Sequence, residues 1–159
     1  MEQSRRLIDA IGWAALLPLL ATLGSVFEAG GVGEAVAGVV RDVIPVDNAF
    51  VVVVAYAVGM AVFTIIMGNA FAAFPVMTAG VALPLLVTLH GADAASLAAI
   101  GMLSGYCGTL MTPMAANFNL VPAALLELKD PYGVIRAQWM TGLVLLACNV
   151  VLMYVIVFR

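Results

Sequence analysis

Gly108-Thr109-Leu110-Met111-Thr112-Pro113-Met114-Ala115-Ala116-Asn117-Phe118-Asn119-Leu120-Val121-Pro122 lies in the middle of an otherwise apolar run, residues 95–128. As one straight helix, at about 1.5 Å of rise per residue, that run would far exceed a hydrocarbon core of about 30 Å. Prolines, glycine, threonines and asparagines interrupt it where a break is required, so the spacing predicts a discontinuous helix. The medium follows from composition. Of 159 residues, 65% are hydrophobic and 9% charged, against about 25% charged in soluble domains. That leaves too little polar surface to cover a core in water. An all-α integral membrane protein of about four or five membrane segments is predicted, as one domain over residues 1–159.

The remaining segments are read outward from the break. On the amino-terminal side, apolar residues 49–67 and 70–89 are separated by Gly68-Asn69, which predicts a helical hairpin over 49–89. Pro75 fits the first turn of the hairpin's second helix, where a missing amide costs nothing, leaving residues 68–74 unwound. The composition fits equally a re-entrant loop and two full spans. Before the hairpin, residues 33–44 place Val36, Val39, Val40 and Val43 on one helical face, with Glu34, Arg41 and Asp42 off it. This predicts an interfacial helix, too short and charged to span. Residues 10–27 form a first span with a kink at Pro18. Glu2 and Asp9 in its polar head, and the lack of a convincing small-x-small cleavage site, favour a retained span over a secretory leader as the expectation. After the break, the polar turn 127–133 leads to a last span over 138–158.

Basic residues set the orientation. With Arg5 and Arg6 in the cytoplasm, the parity of crossings also puts Lys129 and Arg136 there and satisfies the positive-inside rule. A multi-pass inner-membrane protein with a cytoplasmic amino terminus is expected. The net charge of −3 forms no basic stripe and argues against a nucleic-acid partner. Cys107 and Cys148 read as small apolar-segment residues, and His90 as a loop residue beside Gly91-Ala92-Asp93. No paired carboxylates, nucleophile with base, or metal cluster falls within the apolar segments, so the sequence does not read as an enzyme.

Chemistry concentrates at the two interruptions. In hydrocarbon, an unpaired amide or carbonyl costs several kcal/mol, so unwound backbone persists only against protein, water or a ligand. Half-helices beginning near Pro75 and near Pro113 or Pro122 would aim free amides at an anion. Carbonyls around Gly68 and Gly108, with the side chains of Asn69, Thr109, Thr112, Asn117 and Asn119, supply neutral oxygens suited to sodium. The competing reading is helix glue by small residues and amides, which fits Gly101-Met102-Leu103-Ser104-Gly105. Met67, Met77, Met111 and Met114, with Phe71, Phe74 and Phe118, read as packing.

The stretches 66–80 and 108–127 resemble the carboxy-terminal half of a bacterial membrane family long labelled a domain of unknown function. That family is proposed as one subunit of a two-component permease for 5-oxoproline, encoded beside a companion membrane protein and a pyrrolidone-carboxylate peptidase. More distantly the chain is similar to the ion-transporter superfamily of sodium-coupled dicarboxylate and citrate carriers. The similarity implies one repeat of an inverted-repeat transporter: a span, an interfacial helix, a hairpin tipped at Asn69, and a break at Thr112-Pro113 and Asn117. It implies a site at Gly68, Asn69, Ala70, Gly108, Thr109, Thr112, Pro113, Asn117 and Asn119, with Asn69 and Asn117 as candidate sodium ligands. Gly68 and Ala70 stand where that superfamily has serine and threonine at the hairpin tip. Only half a site is present, so the resemblance implies a second transporter half, a companion subunit or another copy of the chain. The expected function is a subunit or half of a secondary transporter for a small organic anion such as 5-oxoproline, with no cofactor beyond candidate sodium. The alternative is a non-transporting membrane subunit that assembles or stabilises a partner.

Overall fold

A computed structural model describes residues 29–159 together with Thr22 and Val26. The expected first span and its Pro18 kink otherwise lie outside the described residues. Every regular element among the described residues is helical: α1 (Val32–Val43), α2 (Ala49–Met67), α3 (Ala70–Met77), α4 (Ala94–Leu110), α5 (Ala116–Leu125) and α6 (Gly133–Val157). Beyond α3 the same arm continues as a wider π-helical stretch, Thr78–Leu89. Among the described residues, three helices are long and apolar enough to cross a membrane: Ala49–Met67, Ala70–Leu89 and Gly133–Val157. The apolar α4, at 17 residues, is shorter.

The hairpin forms because each boundary carries its own stop and start. Asn48 caps α2 by accepting hydrogen bonds from Phe50 N at 3.0 Å and Val51 N at 3.4 Å. The β-branched content of α2 would suit a strand in water, yet in hydrocarbon the helix alone satisfies every interior amide from within one segment. Gly68 ends it in the left-handed region, φ 73°, and donates its N–H to Thr64 O at 2.7 Å. Asn69 then starts α3 by accepting from Phe71 N at 2.8 Å. The expected unwound stretch 68–74 is therefore confined to Gly68 and Asn69. The Asn69 cap, reinforced by Ala73 N–H donating to Asn69 O at 3.3 Å, nucleates helix before Pro75 is reached. Pro75 sits inside α3, and the ladder widens to π geometry from Thr78. Proline's missing donor is one route to such a local change of hydrogen-bond register.

The two arms pack antiparallel along their whole length. At the open end of the hairpin His90 Nε2 lies 2.8 Å from Val46 O. Along the arms, Val52, Val53, Tyr56, Ala57 and Met60 of α2 face Ala73, Met77, Val81, Leu85 and Leu86, and Leu97, Ile100, Met153 and Val157 complete the core. Small residues set how closely α4 approaches α2. A methyl carbon at Gly105 would stand 3.0 Å from Ala70 Cβ and 3.0 Å from the Met60 methyl, while Gly108 rests on the Ala61 backbone. The helix-glue reading of Gly101 and Gly105 describes this seam, because Gly101 receives the Tyr56 ring. Helix α1 lies against the middle of the second arm, Gly33 on Ala79 and Gly80. Val36 and Val40 turn to the core. Between α1 and α2 runs an all-apolar groove of about 640 Å³.

Two ends of the bundle follow. The base holds Phe50, His90, Asp93 and Phe158; Phe50 meets Tyr154 edge-on at 5.3 Å, and Asp93 N donates to Val157 O at 3.2 Å. The tip holds Gly68, Asn69 and the interruption between α4 and α5. The expected broken helix, 95–128, is α4, an irregular link at 111–115, and α5.

Candidate functional site

The two interruptions meet. A methyl carbon at Gly68 would stand 2.7 Å from Met114 O and 2.8 Å from Met114 C, so the hairpin tip is seated directly on the α4–α5 link. Thr112 fastens the contact: its hydroxyl donates to Ile65 O at 2.8 Å and accepts from Met114 N at 3.2 Å. One lost carbonyl partner near the end of α2 and one loose amide of the link are thereby satisfied by a single side chain.

Asn119 closes the link from the other side. It is fully buried, and its amide nitrogen donates to Thr109 O at 2.9 Å and to Thr112 O at 2.6 Å. Its carbonyl oxygen accepts from Gln138 Nε2 at 2.6 Å. The amide thus bridges the end of α4, the link, and α6. Such a buried amide in hydrocarbon is tolerable because its hydrogen-bonding groups are engaged. The sequence marks Gln138 only as the start of the last span. A primary amide close to a span end, level with another amide in the break, was the signal that could have marked it.

The site residues expected from sequence divide between three places. Gly68, Asn69, Ala70, Thr112 and Asn119 gather at the tip, with Asn119 and Thr112 in structural hydrogen bonds. Pro113 and Asn117 are exposed on the outer side of the link and of α5, beside exposed Met114 and Phe118. Gly108 lies in the α2–α4 seam, and the carbonyl expected to be free there accepts Met111 N at 3.0 Å. Thr109 gives its carbonyl to Asn119, while its buried hydroxyl has no hydrogen-bond partner. Asn69 spends one acceptor on Phe71 N, and no other hydrogen bond of its side chain is seen among the described residues. Two asparagine side-chain oxygens do not close the oxygen shell that a hard cation takes. Groups of three or more acidic, histidine or cysteine residues able to hold a metal are absent among the described residues.

What remains open at the tip is backbone. Helix α5 starts at Ala115 without a side-chain cap, and Asn69 caps only the Phe71 amide of α3. The first amides of any helix lack intrahelical acceptors, and their end carries about half a positive charge. Gly68 touching Met114 brings together the backbone two residues ahead of α3 and two residues ahead of α5, one from each break.

The geometry defines a class: an all-helical chain with apolar helices long enough to cross a membrane, whose helical hairpin is tipped against a broken helix. The chain belongs to the family described as "Protein of unknown function (DUF979)", which matches residues 1–158. Neither a curated protein nor a solved structure matches it.

Proposed function

We propose that the chain is one half of a secondary transporter for a small organic anion, bound where α3 and α5 begin. The observation that carries this reading is the seat of Gly68 on Met114, which joins the two interruptions from which α3 and α5, with their positively polarised amino ends, set out. The exposed face of the junction supports incompleteness: Phe71, Met114, Asn117 and Phe118 stand uncovered around it. A second transporter half, a companion membrane subunit or another copy would cover that face and supply the remaining ligands. The resemblance set out above makes 5-oxoproline the first solute to test. Sodium, if it is the coupling ion, would take oxygens from Asn69 and Asn117 and must draw the rest of its shell from the second half. Placement in a bacterial inner membrane with a cytoplasmic amino terminus belongs to the same proposal, resting on the basic residues.

One observation favours a second reading, a subunit that only assembles a partner. Asn119, Thr112 and Gln138 satisfy much of the link internally, as a purely structural break would.

Radiolabelled 5-oxoproline uptake in cells expressing the chain with its companion protein tests the proposal. Asn69→Ala and Asn117→Ala are expected to reduce uptake at equal expression. Unchanged uptake in both would move the solute elsewhere, and equal uptake in sodium and choline media would remove sodium from the mechanism.

A further inference from the structure

The groove of about 640 Å³ between α1 and α2 is walled by Val32, Ala35 and Val39 on one side and by Val51, Val58 and Val62 on the other. Val39, Val58 and Val62 are exposed, so the groove presents side chains rather than sealing them. Helix α1 has three faces. Gly33, seated on Ala79 and Gly80, and Ala37 are its buried residues. Glu34, Arg41 and Asp42 make an exposed charged face. The remaining flank, Val32, Ala35 and Val39, looks into the groove, and no described residue fills it.

The chain enters α1 through a link of two glycines. Val26 and Ala29 are helical, and Gly30 N donates to Val26 O at 2.9 Å, so helix leads directly into the turn. Gly31 then takes the left-handed conformation, φ 68°, and its carbonyl accepts from Ala35 N at 3.0 Å in the first turn of α1. A helix joined to the next by so short a link packs beside it as an antiparallel neighbour. What leads into the link is the apolar segment 10–27, which at about 1.5 Å per residue reaches about 27 Å as a helix, against about 28 Å for the 19 residues of α2. Only one face of α1 can receive it, because one is taken and one is charged.

We propose that residues 10–27 of the same chain dock in the α1–α2 groove and close it. Of that segment the structure describes Thr22 and Val26, both helical and exposed. They stand one turn apart and mark the outward side. Leu20, Gly24 and Phe27, all beyond Pro18, fall on the opposite side by helical spacing and form the docking face. Helices associate in lipid through close van der Waals contact, which Gly24 on one side and Ala35 and Ala55 on the other permit. An acyl chain is the competing occupant. The segment is favoured over it because its covalent tether removes most of the translational entropy that a free molecule loses on binding. This docking is independent of the anion site at the tip.

Photo-crosslinking of the full chain in nanodiscs of phosphatidylethanolamine and phosphatidylglycerol tests it. The photoreactive residue p-benzoyl-phenylalanine is placed singly at Val58, Leu20, Val26 and Val144, and adducts are located by mass spectrometry with fragmentation. Val58 lies in the groove, while Val26 and Val144, on the outer surface of α6, are 58% and 59% exposed. Adducts from Val58 are expected to fall within residues 10–27, and those from Leu20 within residues 32–63, in each case outnumbering lipid adducts. At Val26 and Val144 that ratio should invert. Lipid adducts predominating at both Val58 and Leu20 would overturn the proposal in favour of an acyl chain. Adducts joining two copies at Val58 would overturn it in favour of a second chain. Equal intrachain yields from Leu20 and Val26 would overturn it as well, since a docked helix presents one face.

Discussion

The hairpin turns at the tip and the connection at the base use the same local grammar. At each, a glycine in the left-handed region precedes a residue whose side-chain oxygen caps the next helix: Gly68 at φ 73° before Asn69, and Gly91 at φ 68° before Ala92 and Asp93. Their surroundings differ. A methyl carbon at Gly91 would meet nothing within 4 Å, whereas at Gly68 it would strike the Met114 backbone. The base is a connection; the tip is a joint between two pieces of chain that are 46 residues apart in number, Gly68 to Met114. Turn chemistry alone therefore does not make a site. What distinguishes the tip is that its backbone is docked on a second interruption.

The comparison breaks most readily at Asn119. Asn119→Leu keeps the volume near constant but strips the partner from Thr109 O, Thr112 O and Gln138 Nε2 together. The loss expected is about 3 kcal/mol or more, since each buried polar group left unpaired costs about 1–3 kcal/mol. Denaturant unfolding in mixed micelles measures it, and hydrogen exchange should rise first at residues 109–118. A variant as stable as the parent would mean that the link is held by apolar packing and that the polar stitching is incidental. Gln138→Leu should cost less, because Asn119 retains both carbonyl partners.

The glycines give the direct comparison. Gly68→Ala and Gly91→Ala both place a Cβ in the left-handed region, at about 1 kcal/mol. Only Gly68→Ala must also displace the Met114 backbone, adding about 1–3 kcal/mol in the manner of an overpacked core. Thermal unfolding of the two purified variants in one detergent ranks them. Equal losses would show that the tip separates from the link at little cost, which removes the premise of a fixed paired site.

How much of this was legible before the structure depends on the range of the signal. The composition required a bilayer, the over-long run 95–128 required a break, and Gly68-Asn69 required a hairpin turn. These are local or additive properties of the chain. The extent of the unwound segment is the part least legible: Pro75 suits a helix start, yet the Asn69 side chain, two residues from Phe71, nucleates earlier. Gly108 was read as a site residue because glycine marks both close packing and open backbone, and only the position of Ala61 separates the two. Gln138 and Asn149 were passed over because their partners, Asn119 and Cys107, lie 19 and 42 residues away. No periodicity reveals pairings of that span.

A smaller effect sharpens the caps. Asn69→Ala and Asp93→Ala each remove one helix N-cap, the first at about 1 kcal/mol. They differ in titration. Asn69 carries no ionisable group, while the Asp93 carboxylate accepts from Ser96 N at 2.8 Å. The Ser96 side chain, then its backbone amide, hold the Asp93 acid below the ordinary aspartate range. A depressed folded-state value means that the carboxylate's contribution is fully present above the unfolded aspartate value and is lost as pH falls through the folded one. Hydrogen exchange at residues 91–98 is therefore expected to accelerate in acid beyond the intrinsic pH dependence, while residues 69–74 show no such excess. Asp93→Asn retains a capping oxygen and should flatten the profile at the base. A parallel acid response at both turns would place the titrating group elsewhere and remove this difference between the two ends.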